Sequence, residues 1–235
     1  MRYGQLVRNA IGLVAALAMA IGPLIAHFRI VPPLGGFVAF ALRGLVSVVT
    51  GLVSIVQGLR GRGLTLGGGL GVLAGVCFIG IASRGAGHPR INDFTTDPAD
   101  PPAFRFAATL PANQGRDLGY PQAFATIQHE CCADLHPAKV PAPPRATYDR
   151  ALALAMARPD WTVTQADGDG LVIEAVETSQ LFRFQDDIVI RVRPDGDGAS
   201  RVDVRSKSRD GKGDMGANAA RIRQLVGALE ASARR

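Results

Sequence analysis

Apolar and polar positions divide this chain near residue 90. Before that point three long apolar runs follow one another, residues 6–28, 36–56 and 64–82. Each is close to the roughly 20 residues an α-helix needs to cross a ~30 Å hydrocarbon layer. Pro32, Pro33 and Gly35 interrupt the chain between the first two runs, and residues 58–63, rich in Gly and Arg, turn it between the second and third. Residues 84–116, rich in Pro, Gly and Asp, predict an extended connector, and residues 117–235 a soluble domain.

Within that domain an alanine-rich helix is predicted from about Ala146 to Ala157, ended by Pro159. Four strand patterns follow, over residues 161–165, 171–178, 182–193 and 200–208, separated by short polar turns that imply an antiparallel meander. Alternation is clean in the last two. Ile188, Ile190, Val192, Val202 and Val204 point one way, and Arg191, Arg193, Arg201, Asp203, Arg205, Lys207 and Arg209 the other, so one face is apolar and its reverse cationic. Ile222, Leu225, Val226 and Leu229 recur at helical spacing in a closing helix over about residues 214–232. The expected fold class is α+β: three transmembrane helices, then a two-layer domain with a four-strand meander and two helices on one face.

Charge sharpens this division. The chain carries a net +6, but every Asp and Glu lies after residue 90. The eight arginines of residues 1–90 leave eighteen basic against twenty acidic residues for the rest, a net −2. Basicity therefore belongs to the apolar segment, where arginines flank spans for topological reasons, and no nucleic-acid partner is expected. Arg2, Arg8, Arg60 and Arg62 fall on one side of three spans, Arg29, Arg84 and Arg90 on the other. This bias places the N-terminus in the cytoplasm of a bacterial inner-membrane protein and the soluble domain outside it. A cleaved signal peptide, with Ala18-Met19-Ala20 as its site, is the alternative for the first run. Gly67, Gly71 and Gly75, and Ser47 with Gly51, have the four-residue spacing that lets helices approach closely in lipid. Arg43 stands inside the second run without any acid to pair with, and snorkelling is favoured over an intramembrane role.

Three stretches carry a family resemblance: residues 91–102 (INDFTTDPADPP), 184–191 (FQDDIVIR) and 205–222 (RSKSRDGKGDMGANAARI). Together they resemble domain-of-unknown-function family 1499 over roughly residues 91–230. The resemblance implies no activity, cofactor or catalytic residue, and implies that some members carry N-terminal spans. Cys131-Cys132 departs from the Tyr-Pro-like dipeptide the family suggests there.

The candidate site is the strand-to-helix junction and the cationic face leading to it. Arg191, Arg193, Arg205, Lys207, Arg209 and Lys212 form a candidate anion- or partner-binding surface. Asp214, as a helix N-cap, and Asn218, directed at the sheet, make up a structural junction. No catalytic residue, metal ligand or cofactor is assigned. The His129–His136 segment concentrates metal-capable side chains, but adjacent Cys131 and Cys132 do not suit one tetrahedral ion, and separate thiols are favoured over a vicinal disulfide. Asp186-Asp187 is read as pairing with arginines of a neighbouring strand rather than as an acid/base couple. The expected function is non-catalytic docking of an anionic partner: membrane lipids, another envelope protein or an anionic polymer. The alternative is an envelope hydrolase with a site near Asp214 and Asn218.

The arginine distribution makes one prediction: reporter fusions after Arg90 read as extracytoplasmic, and fusions within residues 58–63 as cytoplasmic. The reverse pattern would refute the arginine bias.

Overall fold

A computed structural model describes residues 3–232, which leaves Arg2 outside the described residues, along with the side chains of Arg8 and Arg84. The chain forms two compact units, residues 1–87 with 180–183, and residues 88–179 with 184–235.

In the first unit three helices, α1 (Tyr3–His27), α2 (Pro33–Gln57) and α3 (Leu66–Arg84), are each long and apolar enough to cross a membrane. Their outward side chains are apolar: Val14, Leu17, Val49, Leu52, Leu73 and Val76 are all exposed. What holds helices together in lipid is close packing of small residues. A Cβ at Gly75 would stand 3.0 Å from the Val48 Cα, and one at Gly51 equally close to the Val72 Cα. Ser47 is fully buried and donates to the Ala15 carbonyl (3.2 Å), while Asn9 Oδ1 accepts from the Gly67 amide (2.6 Å). Half-buried Arg43 donates back one turn to the Ala39 carbonyl (3.2 Å).

The second unit is built on one antiparallel sheet of six strands, not the four the alternation suggests. β3 (Trp161–Asp167), β4 (Val172–Thr178), β5 (Gln185–Pro194) and β6 (Ser200–Ser208) form the expected meander. Two three-residue strands, β1 (Asp93–Thr95) and β2 (Ala138–Val140), share the outer edge of β6, opposite residues 205–207 and 200–202 respectively. Strands this short have no readable period, so only pairing reveals them. Among the described residues the helices α4 (Gln122–Cys132), α5 (Pro144–Met156) and α6 (Ala217–Ser232) accompany the sheet. The apolar sheet face, with Ile173, Ile188, Ile190, Val202 and Val204, is buried in one core with Tyr148, Ala151, Ile222, Leu225 and Leu229.

Residues 88–116 are not a free connector. They belong to the second unit, supply β1, and continue over the reverse face of the sheet as a strap. Phe104 and Ala107 of the strap bury against Val189, with Leu110, Leu118 and Val172 alongside. Glu174 of β4 anchors it: this 2% exposed carboxylate accepts the amides of Arg105 (2.8 Å), Phe106 (2.8 Å) and Ala107 (2.7 Å). Three charge-assisted bonds from one backbone turn replace the water this anion lost. At the sheet edge, Gln128 of α4 continues β1 by pairing with the Thr95 amide (3.0 Å) and carbonyl (2.6 Å).

A Gly75→Leu substitution has no room at the Val48 backbone. Overpacking of this kind is expected to cost about 1–3 kcal/mol and to lower the thermal stability of the chain in detergent, whereas Gly80→Leu, in open space, is expected to be silent. Equal melting of the two variants would contradict the close α2–α3 approach.

Candidate functional site

Strand alternation delivers Arg191, Arg193, Arg201, Asp203, Arg205 and Lys207 to the reverse face of the sheet, and the strap crosses above them. It brings three acids. Asp93, on β1, is fully buried and receives Arg205 in a two-pronged pair (Nε–Oδ1 2.9 Å, Nη2–Oδ2 2.7 Å) together with Lys207 Nζ (2.9 Å). The Arg205 guanidinium also donates to the carbonyls of Pro102 (3.1 Å) and Leu118 (2.8 Å), and lies over the rings of Phe104 (4.7 Å) and Tyr120 (5.5 Å). Burial and the nearby Asp93 push the Tyr120 hydroxyl pKa up to about 12. Asp97 and Asp100 serve the other end of the row. Arg191 and Arg193 share the Asp100 carboxylate (3.0 and 2.7 Å), Arg201 reaches Asp97 (2.5 Å), and all three arginines contact Asp203. The hydrogen bond and charge of Arg191, with Arg193 adding less, hold the Asp100 carboxyl below its usual pKa against the opposing effect of burial.

The basic row is therefore neutralised in place, which corrects the picture of an open cationic face. It is also graded. The Arg205, Lys207 and Arg209 side chains are 2%, 8% and 10% exposed, whereas those of Arg191, Arg193 and Arg201 are 21–35% exposed. Arg209 is committed to Asp187 (2.6 Å) and Gln185 (2.7 Å). Lys212 alone among the predicted basic residues is exposed on the turn.

At the junction, the chain leaves β6 through Gly211, with Met215 and Gly216 also at positive φ, before α6 begins. The Asp214 carboxylate accepts the amides of Gly216 (2.9 Å) and Asn218 (2.7 Å), so both oxygens are occupied. Asn218 is fully buried. Its carbonyl accepts from Ser206 (2.6 Å) and Arg221 (2.5 Å), and its amide donates to Ser208 Oγ (2.9 Å) and the Asn92 carbonyl (3.4 Å). Arg221 continues the network to Glu177 (Nη2–Oε1 2.7 Å) and Asp186 (2.7 Å), and Trp161 Nε1 donates to Glu177 (2.6 Å). Burial pushes the Asp186 carboxyl above its ordinary pKa by more than Arg221 pulls it down. For Arg221, burial works against the charge, but Glu177 and Asp186 outweigh it.

The neighbours Asp186 and Asp187 thus serve opposite faces: Asp186 meets a helix arginine, and Asp187 meets Arg209 and Arg116. Asp93, Asp97, Asp100, Glu177 and Arg221 are the residues that sequence reasoning missed. For the three aspartates the one signal was their clustering within residues 93–100. His129 and His136 are exposed, and no group of three metal-capable side chains is assembled among the described residues. Cys131 is exposed and Cys132 buried; burial and its neighbour push the Cys131 thiol pKa up to about 12. Cavities of about 250, 280 and 420 Å³ occur in this unit, and none is lined by Asp214 or Asn218.

The model of a family described as "protein of unknown function (DUF1499)" matches residues 93–229, from the start of β1 into α6. No curated protein and no solved structure matches the chain.

The pairing pattern sets an order of stabilities. Asp93→Asn strands two buried cations and is expected to lower the unfolding free energy by about 3–5 kcal/mol. Asp214→Ala, which removes a cap, is expected to cost about 1 kcal/mol, and Asn218→Ala about 1–3 kcal/mol. The single tryptophan, Trp161, sits buried in β3 and reports on this unit during denaturant unfolding. If Asp93→Asn unfolded like the wild type, the Asp93 pair would not be the desolvated contact described above.

Proposed function

The chain belongs to the DUF1499 family, and from its geometry we infer a non-catalytic, membrane-anchored docking protein. Its second unit meets an anionic partner through Arg191, Arg193 and Arg201. The observation that carries this reading is the gradient of exposure along the basic row. The buried cations are spent on Asp93 and Asp187, while these three guanidiniums keep part of their surface in water. Guanidiniums in a row present parallel donors to phosphate or carboxylate oxygens.

Phosphate groups of membrane lipids are the favoured partner. Three helices fit to span a bilayer are followed by only eight residues, 85–92, before β1, so lipid headgroups are the anion at the highest local concentration. The arginine flanks favour a bacterial cytoplasmic membrane with the sheet unit on its outer side. A hydrolase site at the junction has less support, because both oxygens of Asp214 and every polar atom of the Asn218 side chain already hold protein partners.

The full chain in zwitterionic nanodiscs is expected to bind vesicles containing phosphatidylglycerol, more weakly as salt rises, because exposed charges are screened. Arg193→Glu and Arg201→Glu are each expected to weaken binding severalfold, with Trp161 fluorescence checking that each variant is folded. Absence of salt-sensitive binding in the wild type would end this reading.

A further inference from the structure

The three carboxylates serving Arg191, Arg193 and Arg201 are not equivalent. Asp203 is part of β6 and its side chain is fully buried; Asp97 and Asp100 come from the strap, 15% and 58% exposed. Asp97 is tied into the strap, since its Oδ1 accepts the Asp100 amide (3.1 Å). The Asp100 side chain has no such duty. Its Oδ2 receives Arg191 Nη2 (3.0 Å) and Arg193 Nη1 (2.7 Å), so one oxygen bridges two guanidiniums. Arg193 turns its Nη2 edge to Asp97 and Asp203 and offers Asp100 only Nη1.

We propose that Asp100 is the internal occupant of a phosphate site, and that a lipid phosphate binds Arg191 and Arg193 by taking the place of its carboxylate. The proposal rests on the docking function inferred above and adds how that site is regulated. A phosphate has the bridging oxygen that Asp100 supplies and further acceptor oxygens on the same group. Displacement is inexpensive on the protein side, because an ion pair this exposed contributes little. The released Asp100 side chain swings into solvent, while Arg201 through Asp97, and Glu174 through the strap amides, continue to hold the strap.

The experiment compares wild type, Asp100→Asn and Asp149→Asn as full chains in phosphatidylcholine nanodiscs, binding to phosphatidylcholine vesicles with and without phosphatidylglycerol. Asp149 is a matched control, 56% exposed and paired with Arg145 elsewhere on the unit. Asp100→Asn is expected to bind phosphatidylglycerol vesicles about threefold more tightly, the size of effect an exposed pair can exert. Asp149→Asn is expected to change nothing, and Arg193→Gln placed in the Asp100→Asn chain to abolish the gain. Trp161 unfolding confirms that each variant is folded. An equal gain from Asp149→Asn would mean net charge alone is at work and would overturn the proposal. So would a gain seen with inorganic phosphate but not with vesicles, which would remove lipid as the source. If Asp100→Asn gains nothing while Arg193→Glu still loses binding, the docking function stands and the internal occupant does not. If no chain binds phosphatidylglycerol vesicles, both fail.

Discussion

A charged sheet face cannot be buried unless each charge finds a partner, and this requirement shapes the second unit. Arg205 is 2% exposed on a central strand, where an unpaired guanidinium would cost several kcal/mol. Asp93 meets it from β1 and takes Lys207 as well, so a strand of three residues carries the counter-charge for two buried cations. With that pair in place Phe104 and Tyr120 can close over the guanidinium, and the strap can lie on the sheet. The strap is in turn fixed by the reciprocal arrangement, an anion on the sheet (Glu174) held by strap amides.

The same rule operates on the helix face, where polar residues intrude at one end of an otherwise apolar core. Arg221 enters from α6 and is matched by Glu177 and Asp186, while Asn218 joins Ser206 and Ser208 to the network. A network satisfied at every member specifies one register of helix on sheet, since any shift would leave buried groups unpaired. The residues from Arg205 to Arg221 therefore act mainly in folding. Pairing is loosest at Arg191, Arg193 and Arg201, and there the counter-charges belong to a strap as well as to the sheet.

Period carries information only over long elements. The spans, the meander and the α6 stripe could be read because each repeats its pattern several times: three apolar runs, alternation through β5 and β6, and four apolar residues of α6 at helical spacing. β1 and β2 have no period to read, and the proline-rich strap looks like a linker because its order comes from contacts with the sheet rather than from backbone regularity. Helix α4 was hidden for a related reason. Its inward positions include Gln128, a polar residue buried to complete β1, which breaks the apolar stripe that would mark a helix.

The basic residues divide in the same way. Which of them share the reverse face follows from alternation, a property of the chain's covalent geometry, and the sequence alone determines it. Whether that face is open or closed depends on partners about 90–115 residues away, since Asp93, Asp97 and Asp100 reach Arg205, Arg201 and Arg191 only after the strap folds back. A cation's identity can be read from the chain, but its surroundings cannot, because desolvation and pairing are set by neighbours in space. Tertiary structure therefore decided which arginines are buried against a partner and which keep part of their surface exposed.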